Sequence, residues 1–401
     1  MRLMRASLVI VATTCVAIAG SVLWRRGGMA YVNLDSALHD SRVFYAFLMT
    51  PLVLAVVCLC ASIVPRIVAI NIAVTIGLLI ALELGARLAV AAPLPVHGEP
   101  EVDGGAPFYV RDPMLGYVIA ASVTAHHRRT IGGTRIYDVT YRTDARGHRE
   151  TPTTGGGART AFLLFFGDSN VFGEGLSQTE TLPYLAGEAA PAYRPYNYGV
   201  PGYGPSQAVA LAGRGRMREE VEEDGGCAVF LAIPAHVGRV VGSSRVSTSW
   251  GRHFPYLVES AQGEVTGAGD FTHGRPLTTL AYFLWSKSVL ADRLNLELPI
   301  WYSEGDYRLT ARVLKEWSRL LGEQLRLRRI VVVLAQAYND TQRRTIDGLR
   351  AALSREGVPY LDYTQLVDYT DPQYRLAEGD YHSSASANRI IARRLVADLG
   401  H

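Results

Sequence analysis

The chain has 401 residues, enough for two or three domains of ordinary size. Its formal net charge of +3 is too small to indicate a nucleic-acid partner. Three of the four cysteines lie in apolar runs near the N-terminus, so the sequence suggests no disulfide framework.

Three apolar runs occupy the first part of the chain, at residues 6–24, 43–64 and 67–92. Each reaches the ~20 residues that a membrane-spanning helix needs. We therefore predict three such helices within residues 1–95, with the lipid bilayer as a partner. A signal peptide in the first run, or buried core helices in all three, are the alternatives. Basic residues flanking the runs are balanced, so charge alone does not fix the orientation.

Residues 96–158 combine a linker rich in proline and glycine with a β-rich texture. The β-type segments are residues 116–120, 130–137 and 139–143. Gly132-Gly133 favours a hairpin turn between strands. His126, His127 and His148 are expected at the surface, because their spacing does not suit a metal site.

Residues 159–401 show apolar strands separated by helical patterns, which predicts βαβ units and a parallel sheet. The predicted strands are residues 162–166, 195–200, 227–233, 329–335 and 359–362. The predicted helices are residues 181–190, 206–218 and 386–399. An insert at about residues 238–328 adds two helical patterns, at 277–294 and 310–325.

The first of these strands leads directly into Gly167-Asp168-Ser169. Glycine permits a sharp turn, and aspartate and serine favour the start of a helix. A serine in this place lies at the carboxyl end of a parallel strand, where α/β sheets carry their sites.

A serine hydroxyl needs a base to take its proton, and a histidine base needs an orienting carboxylate. Asp380-Tyr-His382 precedes the last predicted helix and can return to the sheet edge that carries Ser169. We predict that His382 takes the proton and Asp380 fixes the imidazole tautomer. The backbone N–H groups of Ser169 and Gly202 are the candidate oxyanion donors. Taken singly, these residues are also ordinary turn, cap and loop residues, and the G-x-S-x-G elbow is absent.

Three motifs together resemble those of the SGNH/GDSL hydrolase superfamily, over about residues 160–400. They are Gly167-Asp-Ser169, Asn197-Tyr-Gly-Val-Pro-Gly202 and Asp380-Tyr-His382. The resemblance implies a flavodoxin-like three-layer α/β/α fold and ester hydrolysis or acyl transfer. Ser169 matches the family's nucleophile, Gly202 its oxyanion glycine, and Asp380 and His382 its last block. No cofactor and no metal are expected.

The chain departs from the family pattern in two places. The family has an oxyanion asparagine after the third strand, where this chain has Ile233-Pro-Ala-His-Val-Gly-Arg239. His236, Arg239 or, less naturally, Asn339 would have to donate instead; His236 is alternatively a substrate contact or a plain loop residue. One residue instead of two separates Asp380 from His382. Asp-x-His also occurs in SGNH-like proteins that O-acetylate bacterial polysaccharides, although there it precedes the serine.

The sequence supports two functions. The first is a membrane-tethered serine esterase or O-acyltransferase acting on ester groups, O-acetyl above all, of an envelope or extracellular polysaccharide. Its catalytic domain is expected outside the bacterial cytoplasmic membrane, and acyl transfer would need a separate membrane protein as acyl donor. The second is a catalytically weak or inactive scaffold of a polysaccharide assembly complex, since losing one oxyanion donor can cost ~10²–10³ in rate.

Overall fold

The structure is a computed structural model that describes residues 66–89, 101–103, 107–131, 133–154 and 158–400. The apolar runs at residues 6–24 and 43–64 lie outside these ranges. The helices are α1 (Arg66–Ala89), α2 (Ser169–Phe172), α3 (Leu182–Ala189), α4 (Pro205–Gly213), α5 (Met217–Glu220), α6 (Ala235–Val241), α7 (Ser244–Thr248), α8 (Phe271–Gly274), α9 (Pro276–Trp285), α10 (Val289–Arg293), α11 (Glu304–Gln324), α12 (Asp340–Glu356) and α13 (Ala385–Leu399). The strands are β1 (Glu101–Asp103), β2 (Tyr109–Asp112), β3 (Gly116–Ile119), β4 (Thr124–Ile131), β5 (Thr134–Arg142), β6 (Ala161–Gly167), β7 (Tyr193–Gly199), β8 (Gly226–Ala232), β9 (Pro255–Glu259), β10 (Val265–Asp270), β11 (Leu327–Leu334), β12 (Tyr360–Asp362), β13 (Arg375–Ala377) and β14 (Asp380–Ser383).

The chain divides into two compact units, and the smaller contains α1 and α10. Within it the Glu83 carboxylate accepts hydrogen bonds from the backbone N–H groups of Val289 and Leu290, at 2.8 and 3.1 Å. A carboxylate in this place satisfies N–H groups at a helix start that have no intrahelical partner. Helix α1 coincides with most of the third apolar run. Among the described residues, no helix combines the length and apolarity that crossing a membrane requires.

The larger unit comprises Leu94–Ser286 and Leu296–His401 and is built on a parallel sheet of five strands. The strand order is β12-β11-β8-β6-β7, which in chain order is the flavodoxin-like arrangement 2-1-3-4-5. All five strands lie within two residues of their predicted bounds. The sequence prediction of a parallel α/β sheet is therefore confirmed.

Helices cover both faces of this sheet. Every residue of the interior strand β6 is buried, as expected for a strand covered on both sides. Phe162 and Phe166 pack with Trp317 of α11 on one face, whereas Leu163 packs in the same cluster as Leu395 of α13 on the other. Alternate side chains of the strand therefore join opposite helical layers, which gives the predicted three-layer arrangement.

The β-rich region precedes this sheet within the same unit. Strands β1, β4 and β5 form an antiparallel sheet, and β2 pairs with β3. Ile131 lies opposite Thr134, so β4 and β5 pair in antiparallel register up to the residues that flank the predicted turn. The predicted segment at residues 130–137 is therefore divided between two strands. The rest of β4 was not predicted, because its Thr-Ala-His-His-Arg-Arg run lacks an apolar pattern.

The prediction that His127 lies at the surface is wrong. Alternation along β4 turns Ala125 and His127 inward, and His127 is only 2 % exposed. Its ring lies 4.4 Å from that of Phe108 and 4.7 Å from that of Tyr141. Burial, aided by the charges of His126 and Arg149, lowers the pKa of His127 to about 4. His127 is therefore a neutral member of an aromatic core.

The insert between β8 and β11 contains more than the two helical segments predicted in it. Strands β9 and β10 pair as an antiparallel hairpin within it. The helix predicted at residues 277–294 is divided into α9 and α10. Helix α11 begins six residues before its predicted start, because Ser303 and Asp306 form a reciprocal capping box.

The buried side chain of Arg149 connects the β-rich region to the segment after Ser169. Its Nη1 donates to the carbonyl oxygens of Phe172 and Gly173, at 2.8 and 2.5 Å, and its Nη2 donates to that of Leu176 at 2.5 Å. The guanidinium also lies 4.6 Å from the ring centre of Tyr141. One arginine thus binds three carbonyl groups at and just after the end of helix α2.

Replacing Arg149 with methionine is expected to lower the free energy of unfolding by about 3 kcal/mol, because hydrogen bonds to a buried charged group are lost. Urea denaturation of the purified chain measures this. The matched control is Arg135→Met, since that side chain is 66 % exposed, and it should change stability by less than about 0.5 kcal/mol. Equal effects of the two substitutions would contradict the role given to Arg149.

Candidate active site

The turn that carries Ser169 is constrained at each of its residues. Gly167 has a φ of +156°, and a Cβ atom there would lie 2.6 Å from Val171. The Asp168 carboxylate accepts the backbone N–H of Asn170 at 3.0 Å and thereby caps α2. Ser169 is 7 % exposed at the carboxyl end of β6. Glycine and aspartate are therefore needed to present this serine at the edge of the sheet.

The three side chains chosen from the sequence lie in one hydrogen-bonded chain. The Ser169 Oγ lies 2.8 Å from Nε2 of His382, and Nδ1 of the same ring lies 2.6 Å from Oδ1 of Asp380. Asp380 and His382 belong to strand β14, where residues two apart point to the same side. The one-residue spacing that departs from the family pattern therefore still aligns both side chains with Ser169.

Arg129 of β4 binds the other oxygen of Asp380, at 3.0 Å. Although burial disfavours the charged carboxylate, the hydrogen bond from His382 and the Arg129 charge lower the pKa of Asp380. An ionised Asp380 accepts the Nδ1 hydrogen of His382 and leaves Nε2 to face Ser169. No pattern in the sequence points to Arg129, because an arginine in a polar run carries no signal of this contact.

A second carboxylate, that of Glu174, lies on the serine side of the His382 ring. Its Oε2 is 3.7 Å from Nε2 of His382, and its Oε1 accepts the Tyr137 hydroxyl at 3.1 Å. Burial favours a neutral ring, but the Asp380 hydrogen bond and the charges of Glu174 and Asp380 raise the pKa of His382 to about 9. The surrounding carboxylates therefore favour the protonated form of the His382 ring. Glu174 was also missed by sequence analysis.

A buried polar network connects the segment that carries Ser169 with the strand that carries His382. Gln336 lies two residues after the end of β11. Its Nε2 donates to Asn170 Oδ1 at 2.5 Å and to Ser383 Oγ at 3.1 Å. Ser383 Oγ also lies 2.7 Å from the Tyr369 hydroxyl. Asn170 follows Ser169 and Ser383 follows His382, so the network fixes the separation of the reacting side chains.

The predicted substitutes for the oxyanion asparagine have other partners. Nη1 of Arg239 donates to Asp168 Oδ2 at 2.7 Å and to the Tyr203 carbonyl at 2.6 Å. His236 is fully buried, with Nδ1 accepting the Ile233 N–H at 3.1 Å and Nε2 3.6 Å from Asp168. Both side chains therefore support Asp168, a role that their position after the third strand does not reveal.

The structure does not place Asn339 in the site. Asn339 is exposed and caps α12, where its side chain accepts the Gln342 N–H at 2.9 Å. Gly202, in contrast, lies in the turn after β7, the place from which the sequence prediction takes a backbone donor. It has a φ of +85°, and a Cβ atom there would lie 2.4 Å from the Tyr117 hydroxyl. The backbone N–H groups of Ser169 and Gly202 therefore remain the candidate oxyanion donors.

Replacing Arg239 with methionine is expected to destabilise the fold by about 3–5 kcal/mol, because it leaves the buried Asp168 carboxylate without its charged partner. Although burial opposes ionisation, Arg239 and His236 lower the pKa of Asp168 in the native chain. Urea denaturation tests the effect. Arg319→Met is the control, since its ion pairs with Glu316 and Glu323 lie at the surface, where such pairs contribute about 0–1 kcal/mol. A loss no larger than that of the control would contradict the support assigned to Arg239.

No family model matches the chain, and no curated protein matches it. Solved structures that resemble it include SGNH/GDSL hydrolases and carbohydrate esterases. A lipolytic G-D-S-L protein from Veillonella parvula is 11 % identical and covers 59 % of this chain and 97 % of its own, with a TM-score of 0.35. A putative lipolytic G-D-S-L protein from Desulfitobacterium hafniense is 12 % identical, and the match covers 60 % of this chain and 99 % of that protein, with a TM-score of 0.30. An acetyl xylan esterase from Butyrivibrio proteoclasticus is 10 % identical, and the match covers 66 % of this chain and 72 % of that protein, with a TM-score of 0.34. Likenesses this distant carry no functional assignment, which rests on the geometry of the site.

Proposed function

We propose that the chain is a serine esterase or O-acyltransferase of the SGNH/GDSL type. The observation that carries the proposal is the continuous contact from Ser169 through His382 to Asp380, at 2.8 and 2.6 Å. An alcohol, an imidazole and a buried carboxylate in this order are the groups that acyl transfer through a serine requires.

In the proposed reaction Ser169 Oγ attacks the ester carbonyl while Nε2 of His382 takes its proton. The carbonyl oxygen becomes an oxyanion, which the N–H groups of Ser169 and Gly202 would stabilise. The imidazolium then gives its proton to the alcohol oxygen, the ester C–O bond breaks and an acyl-Ser169 remains. Water or an acceptor hydroxyl attacks that acyl group with His382 again as base, and Ser169 regains its proton.

The proposed substrate is an O-acetyl ester of an envelope or extracellular polysaccharide. The support comes from the sequence, through the Asp-x-His likeness to SGNH-type proteins that O-acetylate bacterial polysaccharides. We further propose that the apolar runs of residues 1–95 tether the chain to the bacterial cytoplasmic membrane, with the site outside the cytoplasm. Acyl transfer would then need a separate membrane protein that delivers the acyl group.

A non-catalytic scaffold is the second candidate, and one observation favours it. Arg239 binds Asp168, His236 lies beside the same carboxylate, and Asn339 is a surface cap. Among the described residues these contacts identify no side-chain oxyanion donor, which leaves only the proposed backbone donors, Ser169 and Gly202. A weak enzyme or a binding protein would fit that arrangement.

Acetate release from acetylated oligosaccharides by the purified full chain distinguishes the two candidates, with Ser169→Ala as the blank. An esterase should release acetate in water alone. A transferase should move acetyl groups to an added unacetylated sugar, detected by mass spectrometry. Absence of both products, with tight binding of the oligosaccharide retained, would reject the enzyme in favour of the scaffold.

A further inference from the structure

Backbone contacts of Glu174 and of the residue after it fix the position of Glu174 in the site. Its N–H donates to the Ser169 carbonyl at 2.9 Å, which ties it to the proposed nucleophile. The next residue, Gly175, donates to the Tyr141 hydroxyl at 2.7 Å and has no room for a Cβ atom beside Leu376. The carboxylate therefore has a fixed position, and 15 % of the side chain is accessible to a ligand.

The two oxygens of this carboxylate have different surroundings. Oε1 accepts the Tyr137 hydroxyl at 3.1 Å and lies 3.6 Å from Arg129, which binds Asp380. Oε2 lies 3.7 Å from Nε2 of His382, which is too far for a hydrogen bond between them. One oxygen is thus held by the protein, while the other borders the nitrogen that exchanges protons with substrate.

In an ester reaction, Nε2 of the base delivers its proton to the oxygen of the leaving alcohol and later takes one from the incoming hydroxyl. The alcohol part of the substrate must therefore lie beside Nε2, within reach of Glu174 Oε2. A carboxylate accepts hydrogen bonds only, so it suits a neighbouring hydroxyl and repels a second negative charge.

We propose that Glu174 forms the alcohol side of the site and selects esters and acceptors whose alcohol part is a neutral polyol rather than an acidic sugar. The inference rests on the proposed function and narrows its substrate class. The charges that surround His382 agree with it. Asp380, Glu174 and Asp168 are negative. Arg239 pairs with Asp168, and Arg129 pairs with Asp380 and, through Oε1, with Glu174, whereas Oε2 of Glu174 lies beside Nε2 of His382.

The test compares two acetate esters that differ at one carbon, acetylated glucose, with a neutral hydroxymethyl group there, and glucuronic acid, with a carboxylate, each acetylated on the same hydroxyl. Wild-type chain should prefer the neutral ester in kcat/KM by about tenfold, the effect of a like charge some 6 Å away in a partly exposed site. Glu174→Gln keeps the Tyr137 contact and should bring the two values within about threefold. Glu174→Asp, which keeps the charge, should retain the preference, and so should the exposed control Glu323→Gln.

A second readout separates this role from a merely structural one. The pH at which kcat/KM is half-maximal should fall in Glu174→Gln, because a charge beside His382 has been removed. An unchanged neutral preference in Glu174→Gln, with normal turnover, would overturn the inference and leave the proposed function intact. Failure of the wild-type chain to cleave either ester would reject the proposed function itself.

Discussion

Replacing Ser169 with alanine is expected to lower kcat for ester turnover by about 10⁶-fold, the loss typical of removing a serine nucleophile. The alanine lacks the oxygen that lies 2.8 Å from His382 Nε2, so no acyl intermediate can form. Release of acetate or 4-nitrophenol under substrate saturation measures the effect. His382→Ala should cost about as much, because the same proton transfer is lost.

The double variant Ser169→Ala/His382→Ala sharpens this prediction. Residues that act as a unit have non-additive effects, so it should be no slower than either single variant. Ser286→Ala, a substitution at an exposed helix end, is the matched control and should keep full activity. Residual turnover of Ser169→Ala within tenfold of wild type would contradict a serine nucleophile.

The value of kcat/KM is expected to be highest at alkaline pH. His382 must be neutral to accept the Ser169 proton, and its pKa is raised to about 9. Activity should therefore rise about tenfold per pH unit below pH 9 and level off above it. Initial rates between pH 6 and 10, corrected for spontaneous hydrolysis, provide the measurement. A plateau already reached at pH 7 would contradict a His382 pKa that is raised by the neighbouring carboxylates.

The same ionisation should affect stability in the opposite direction. A histidine with a raised native pKa contributes stability that is complete below its unfolded pKa of about 6.5. That contribution is lost as pH rises through about 9. Urea midpoints measured over this range should fall while activity rises, and His382→Gln should abolish that part of the fall.

The parts of the fold that follow an uninterrupted pattern were predictable from the sequence. The strand at residues 161–167 is apolar throughout because both faces are covered, and the motif after it fixes the place of Ser169. Asp380 and His382 were predictable as well, since chemistry demands a base and a carboxylate. Their location on strand β14 instead of a loop was not, because its four residues carry no alternating pattern.

The remaining site residues could not be predicted, and the reasons are physical. Arg129 reaches Asp380 across 251 positions of sequence, and Glu174 is one acidic residue in a glycine-rich turn. Arg239 and His236 were selected for their position after the third strand. Only tertiary packing shows that Asp168, itself buried, is the group they contact. Long-range polar contacts of this kind leave no periodicity in the sequence.

The most direct measurement is to map where a fluorophosphonate reacts with the purified full chain. Covalent capture requires a serine oxygen activated by its neighbours, which is what the contact between Ser169 and His382 supplies. At pH 9, mass spectrometry should find one adduct, on the peptide that contains Ser169, and none in Ser169→Ala or His382→Ala. A folded wild-type chain that stays unlabelled, or an adduct on another serine, would contradict a catalytic Ser169.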